Sequence, residues 1–445
     1  VCDVFRPANP GQVIATLFLL AILVGTALLS LPVASASGQR TDLIDALFTA
    51  TSAVCVTGLV TVDTGSYWSG FGQIVILALI KLGGLGVMTA ATVAALLFFD
   101  RLGIRTRAIV QAETKALSSS DLKGVVRRVV IYSVVVEVVL SIILATRFAL
   151  AYDYSTGTAV YHGIFHAVSA FNNAGFALYS DSLVGFVSDA WILLPIAGAV
   201  IIGGLGFPVV FELVRSWRTP RLWSVLTRIT VGMTAVLLVL GFLGTYLVER
   251  GNPETLGGLS GPQATLAAAF SGVMPRTAGF NAIDIAALRP ESLVLTDFLM
   301  FIGGGSAGTA GGIKVTTLGL LLFVVWAELR GRPDVTIGRR RVTSVNQRQA
   351  LSVIVLAAGV VAVAYLTLLA LTDAPTDDVL FETVSAFGTV GLSTGLTPEL
   401  PDAAKLVVIA LMFIGRVGPL TFATALALRE HPSRVRLPEE RLIVG

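Results

Sequence analysis

Ser52-Ala53-Val54-Cys55-Val56-Thr57-Gly58-Leu59 ends a short apolar helix pattern on a glycine-centred turn, and the chain repeats this design three more times. The others read Ser169-Ala170-Phe171-Asn172-Asn173-Ala174-Gly175-Phe176, Pro275-Arg276-Thr277-Ala278-Gly279-Phe280-Asn281 and Ser385-Ala386-Phe387-Gly388-Thr389-Val390-Gly391-Leu392. Their turn glycines lie 117 (175 − 58), 104 (279 − 175) and 112 (391 − 279) residues apart. A long apolar segment precedes each short helix, and another follows each turn. The chain is a four-fold repeat of apolar span, short helix, glycine turn and apolar span.

Composition says where such a chain resides. Of 445 residues, 55% are hydrophobic and 13% charged, and mean hydropathy is +0.84. Soluble domains carry about 25% charged residues, so this apolar surface belongs in lipid. A span needs about 20 apolar residues; the candidates are 13–31, 71–99, 125–150, 191–213, 225–248, 293–325, 350–371 and 403–428. The short helices, about a dozen residues each, cannot cross and read as re-entrant. Non-helical backbone at membrane depth is tolerated only inside protein or beside a water-filled cavity, so the four turns must converge on one aqueous path.

The fold class expected is an all-α integral membrane protein. Four membrane helix–pore helix–filter loop–membrane helix units surround one central pore with pseudo-four-fold symmetry. The repeats fall at 1–101, 124–220, 221–331 and 332–428, with a basic link at 102–123 and a tail at 429–445. The first span is too long for a cleaved signal peptide, and a chain opening at Val1 is expected to have been trimmed. Cys2 and Cys55 are far apart in character, one terminal and one in a pore helix, and form neither a disulfide pattern nor a metal-ligand spacing.

Most of the 31 basic residues gather between the repeats, as in Arg101–Arg128, Arg215–Arg228, Arg330–Arg348 and the tail. The opposite side holds Arg40, Arg147, Arg250, Arg289 and Lys405 among acids such as Asp63, Asp181 and Asp377. The positive-inside rule then assigns both termini and the inter-repeat links to the cytoplasm. Lipid orientation accounts for the basic links, and no nucleic-acid partner is assigned to them.

The quarters are not identical. Ten residues before the turn glycine stand Phe48, Phe165 and Phe381, with Ala269 in the third repeat; six before it stand Ser52, Ser169 and Ser385, with Val273 in the third. In the second spans Gly84, Gly204, Gly304 and Arg416 align, so the fourth repeat places arginine where the others use glycine. The third repeat continues as Gly303-Gly304-Gly305-Ser306-Ala307-Gly308-Thr309-Ala310-Gly311-Gly312, then Ile313 and Lys314. Glycine costs a helix about 1 kcal/mol relative to alanine, so six glycines in ten residues predict a broken sixth span.

A permeating cation must exchange water for protein oxygens, and backbone carbonyls supply fixed dipoles without net charge. Glycine allows the conformations that turn such carbonyls inward, while the C-terminal ends of the short helices favour a cation. No acidic side chain lies within the turns, which argues against a carboxylate ring for divalent ions. The candidate filter is Val56-Thr57-Gly58, Asn173-Ala174-Gly175, Thr277-Ala278-Gly279 and Thr389-Val390-Gly391.

These four segments resemble the selectivity-filter segments of the Trk/Ktr/HKT potassium transporter superfamily, over nearly the whole chain. Eight spans without an additional N-terminal pair are most similar to the membrane subunits of bacterial Ktr systems. Glycine in all four filters, Gly58 included, implies K+ as the transported ion; serine in the first repeat marks sodium-selective plant relatives. The resemblance also implies an intramembrane gating loop at Gly303–Gly312 and a gating arginine at Arg416. It further implies a homodimer in the bacterial cytoplasmic membrane, one pore per subunit, on a cytoplasmic nucleotide-binding ring of KtrA type. A sodium-selective or Na+-coupled carrier of the same fold remains the alternative.

Arg416 has two readings: an electrostatic barrier facing the cavity, and a structural donor to the carbonyls of the broken sixth span. Lys314 reads equally as a second barrier and as a snorkelling side chain. Arg276 is expected to brace the third filter from behind through a carboxylate such as Asp284 or Glu382. His162 and His166 lack a third metal ligand nearby and read as polar packing, and Lys81 awaits a local partner. An intramembrane enzyme would need a nucleophile with a base, or a metal cluster, and the sequence pairs neither histidine with one.

Overall fold

The computed structural model describes residues 10–101, 122–338 and 340–428, with the side chains of 12–86, 124–338 and 340–418. The described residues form fourteen α-helices and one small hairpin. The first quarter is α1 (Pro10–Leu29), α2 (Leu43–Cys55) and α3 (Gly70–Arg101). The second is α4 (Leu122–Ala151), α5 (Thr156–Phe171), α6 (Ala190–Leu205) and α7 (Phe207–Ser216). The third holds α8 (Val225–Glu249), α9 (Gly261–Val273), α10 (Pro290–Phe301) and α11 (Val315–Leu329). The hairpin β1 (Thr336–Ile337) and β2 (Arg340–Arg341) leads to α12 (Ser344–Leu371), α13 (Thr376–Gly388) and α14 (Asp402–Leu428). The repeat foreseen from the turns is the repeat observed.

First and second spans do different work. Among the described residues, four helices are long and apolar enough to cross a membrane unaided, α1, α4, α8 and α12, one opening each quarter, and most of each lies outside the packed interior. They form the lipid-facing layer. The second spans pack inward and two are not continuous. The sixth span breaks between α10 and α11, as its glycines predict. The fourth, expected as one helix over 191–213, bends by 103° between α6 and α7.

The bend follows from two residues. Gly206 has φ +88°, outside the helical region, and Pro208 in the first turn of α7 has no N–H to give to the carbonyl of Gly204. Gly204 O accepts instead from Gly305 N at 2.8 Å, and Gly203 O from Thr309 N at 3.1 Å. An unpaired backbone group in lipid costs several kcal/mol. The gap in span six supplies the donors that the gap in span four lacks.

The quarters close into a ring in chain order. Each first span packs on the second span of the quarter before it, and so does each short helix: α5 on α3, α9 on α6, α13 on α10, and α2 on α14. Glycines let the second spans approach. Gly83, Gly203 and Gly415 each lie where a Cβ would overlap a carbonyl at the end of the short helix of the same quarter, that of Val54, Phe171 or Phe387.

Ion pairs fasten two seams. Lys405 of α14 meets Asp45 of α2 at 2.8 Å, joining the last quarter to the first. Lys81 of α3 finds its partner in Glu137 of α4, at 2.5 Å, and also donates to Ser133 Oγ at 2.6 Å. Glu137 in turn accepts from Asn172 Nδ2 at 3.0 Å, at the end of α5. Removing one partner of a buried pair strands a charge, at about 3–5 kcal/mol. Lys81→Met should therefore lower the unfolding midpoint in detergent sharply, while Lys81→Met combined with Glu137→Gln should recover most of the loss. Equal midpoints for the single and double variants would refute the pairing.

Candidate ion pathway

Each short helix ends in a cap that its sequence sets. In quarters one, two and four the residue two before the turn glycine, Val56, Asn173 or Thr389, has positive φ. The next N–H returns to the carbonyl of the helix serine: Thr57 N to Ser52 O at 2.8 Å, Ala174 N to Ser169 O at 2.8 Å, and Val390 N to Ser385 O at 2.9 Å. This is a Schellman closure made without glycine at its left-handed position. β-Branched residues seldom adopt that region, and holding one there costs about 1–3 kcal/mol; Val56, Thr277 and Thr389 all do so. Strain of this kind persists where function requires it.

The turn glycines are also left-handed, with φ +95° at Gly58, +70° at Gly175, +71° at Gly279 and +94° at Gly391. Each triplet thus has positive φ at both of its ends. The serine hydroxyls brace the turns from behind: Gly58 N donates to Ser52 Oγ at 3.0 Å and Gly391 N to Ser385 Oγ at 3.2 Å. Ser169 Oγ donates to Phe176 O at 2.8 Å.

The third turn corrects the sequence alignment. The buried aromatic of α9 is Phe270 and not a residue at the place of Ala269, and Ala278 N returns to the carbonyl of Met274 at 3.0 Å. Phe270 and Met274 thus take the places of the phenylalanine and serine, with one residue fewer before the glycine. Pro275, which lacks an N–H, lies in the shortened segment.

The four turns form a closed ring. A Cβ on Gly58 would strike Ala174 O, one on Gly175 would reach Gly279, one on Gly279 would strike Val390 O, and one on Gly391 would strike Thr57 O. Beyond the ring lies a cavity of 470 Å³ with the four glycines among its lining and Asp63, Asp181 and Asp284 also facing it. The four candidate filter triplets therefore meet at one place, beside a mouth lined by three aspartates.

The loop 302–314 is bonded to both neighbouring quarters and to the filter itself. Gly303 N donates to Ile313 O at 2.8 Å, and Val315 N to Gly304 O at 3.0 Å. Ser306 Oγ is 3.0 Å from Thr316 Oγ1, Ala307 has φ +59°, and a Cβ on Gly308 or Gly305 would strike the backbone near Gly206. Gly311 and Gly312 lie against Gly388 and Thr389. Thr309 Oγ1 donates to Asn173 Oδ1 at 2.9 Å, so a filter side chain touches the loop directly.

Two buried arginines and the partly buried Lys314 hold this loop, all through carbonyls. Arg416 Nη1 donates to Thr309 O, and its Nη2 to Gly83 O at 3.4 Å. Lys314 Nζ donates to Ala310 O at 2.5 Å, so it ties the loop and does not snorkel. Arg276 Nη2 donates to Gly303 O at 2.5 Å. Its expected carboxylate brace is not the one used: Asp284 caps Ala286 N at 3.0 Å, and Glu382 accepts from Ser393 at 2.9 Å and from Thr397. His166 is a packing residue, its Nε2 accepting from Leu178 N at 3.3 Å, while His162 Nδ1 lies 2.9 Å from Tyr179 Oη.

The profile of the family described as TrkH, cation transport protein, matches residues 8–436. The chain belongs to the TrkH cation transport family. Among relatives of known name, it is similar to Ktr system potassium uptake protein B of Bacillus subtilis, 41% identical over 98% of this chain and 97% of the relative. It also resembles the protein of that name from Vibrio alginolyticus, 39% identical over 98% and 94%. Potassium/sodium uptake protein NtpJ of Enterococcus hirae is 36% identical over 98% and 97%. The crystal structure of the potassium transporter TrkH from Vibrio parahaemolyticus superposes with a TM-score of 0.71, at 20% identity, over 98% of this chain and 87% of that one. That likeness shows the TrkH fold, while the family match and the several apolar helices make the chain a multi-pass membrane protein.

Within this TrkH chain the sequence reading missed the Gly206–Pro208 break, the Asn173–Thr309 contact and the one-residue shift of the third turn. A glycine one residue before Phe-Pro was the signal for the first, and Phe270 for the last; nothing local announces the second. Gly206→Ala should destabilise by about 1–3 kcal/mol, because it forces a side chain into left-handed backbone. Gly198→Ala, inside α6 and facing open space, should be neutral or slightly stabilising. Thermal unfolding of the two proteins checks this, and similar losses would contradict the assigned break.

Proposed function

We propose that this chain carries potassium ions across the cytoplasmic membrane of a bacterium through the ring of four glycine turns. The observation that carries the reading is the closed ring itself: four turns with positive φ, each glycine packed against the next turn, beneath an acidic mouth. Carbonyl dipoles can replace the hydration shell of a monovalent cation. Potassium is favoured over sodium by glycine at all four positions and by the names of the relatives in Bacillus subtilis and Vibrio alginolyticus. The positive-inside rule supports cytoplasmic termini.

The loop 303–312 with Arg416 acts as the gate in this reading. At about 8 Å from a potassium ion and an effective dielectric near 20, the guanidinium opposes passage by roughly 2 kcal/mol. Its bond to Thr309 O makes it a latch on the loop as well. A homodimer resting on a cytoplasmic nucleotide-binding ring of KtrA type fits the kinship with Ktr system proteins, the ring pulling on the loop through α11. A sodium-coupled mode is the second reading, and the relative named a potassium/sodium uptake protein favours it.

Two measurements in proteoliposomes test these roles. Gly58→Ser should reduce the ratio of potassium to sodium flux, since its side chain meets Ala174 O and the Gly175 backbone; an unchanged ratio would count against the filter. Arg416→Ala should raise potassium flux about ten-fold as the barrier falls. Loss of flux in a folded Arg416→Ala protein would make the arginine structural only. Potassium flux that requires sodium on the same side would favour the coupled reading.

A further inference from the structure

The face opposite the acidic mouth carries a second cavity, which the ion pathway does not use. Helix α8 runs from this cavity at Val225 to Glu249, whose carboxylate accepts from Arg289 N at 2.9 Å beside the start of α10. Twenty-five residues of helix span about 37 Å, so the two ends of α8 lie at opposite membrane surfaces. The cavity measures 580 Å³, and Arg221, Arg228 and Arg340 line it with Trp223 and the buried Ile337. These side chains come from two separate inter-repeat links and the first turn of α8.

The acids near the cavity carry hydrogen bonds or ion pairs of their own, and Glu212 also interacts with Arg228 through space. Glu212 accepts from Ser224 N at 2.6 Å, from Ser224 Oγ at 2.7 Å and from Thr227. Asp334 pairs with Arg341 at 2.9 Å. Alternate residues of a strand face opposite ways, so Arg340, opposite Ile337 in the hairpin register, is on the other face from that pair. Arg228 Nη2 donates to Arg221 O at 2.7 Å, which holds the two arginines together. Among the described residues neither Arg221 nor Arg228 has an ion-pair partner.

We propose that this cavity is a binding site for the phosphate of an anionic phospholipid headgroup. Guanidinium groups match phosphate oxygens in pairs, and basic pockets at the cytoplasmic ends of membrane helices suit such headgroups. The surroundings favour a lipid over a soluble phosphate. Leu222 at the rim is 73% exposed, and the exposed Trp217 and Trp326 are covered by the guanidinium groups of Arg218 and Arg330 at 4.7 and 4.3 Å. Exposed tryptophans beside arginines mark the membrane–water boundary, where an acyl chain can lie against Leu222 while the headgroup enters the cavity. The site joins the link after α7 to the link before α12, so a bound headgroup clamps the cytoplasmic ends of the two broken spans.

The test uses the full chain, purified in neutral detergent and titrated with phosphatidylglycerol or phosphatidylcholine, with retained lipid counted by native mass spectrometry. The wild type should retain phosphatidylglycerol preferentially, and Arg228→Gln should weaken that retention roughly five-fold. The exposed pair Arg221→Gln/Arg340→Gln should weaken it further, and carries the test alone should Arg228→Gln fail to fold. Arg341→Gln, on the other face of the hairpin, should match the wild type. Equal retention of both lipids, or equal retention by the cavity variants, overturns the proposal. So does displacement of the lipid by millimolar inorganic phosphate or a soluble nucleotide, which makes the site one for free phosphate. Unchanged lipid retention with lost capture of a cytoplasmic protein partner overturns it in favour of that partner.

Discussion

Every irregular stretch of backbone in this membrane protein must find its hydrogen bonds inside the protein. That constraint organises the centre of the molecule. Pro208 leaves the carbonyl of Gly204 without its helical donor, and the glycine-rich loop 302–314 supplies one from Gly305. The loop needs donors for its own carbonyls, and Arg276, Lys314 and Arg416 give them at Gly303, Ala310 and Thr309. Neither break would be tolerable alone. A loop held by a few side-chain bonds, with six glycines and no bulky residue between Gly303 and Gly312, is cheaper to move than a helix whose bonds are all internal.

The same reasoning separates the ring from its surroundings. The glycine turns are strained at Val56, Thr277 and Thr389, and the strain is held by short helices that end in tight caps and by serine hydroxyls behind two glycine N–H groups. The third quarter departs from this plan. It is one residue shorter, has Met274 at the serine place, and replaces the hydroxyl brace with an arginine that reaches the loop. The four-fold symmetry is therefore broken where the glycine turns and the loop are bonded, through Asn173–Thr309 in the second quarter and Arg276–Gly303 in the third.

Charge in the interior is used sparingly and always at a junction. Lys81–Glu137 and Lys405–Asp45 join neighbouring quarters, while Arg221, Arg228 and Arg340 of the described links line a cavity at the surface opposite the acidic mouth. Of the outer helices, α1 carries no charged residue, and α4 places Glu137 and Arg147 against partners, Lys81 and Asp189, because lipid offers them none.

Much of this was legible in the sequence. The period of the glycine turns gave the four quarters, composition gave the membrane, and six glycines in ten residues gave the broken sixth span. These features are local: a helix pattern, a turn or a glycine run says what it is without reference to its neighbours. What the sequence left open was which groups meet. Arg416 could be read as a barrier or as a donor, and only the fold brings it to the Thr309 carbonyl. Arg276 seemed to require a carboxylate, yet its neighbour is the first carbonyl of a loop 27 residues away. Lys81 gained its meaning from Glu137, 56 residues on. Local signals specify segments because their hydrogen bonds are local; partners for buried charges and for freed carbonyls are chosen by the closure of the ring, which no single segment contains.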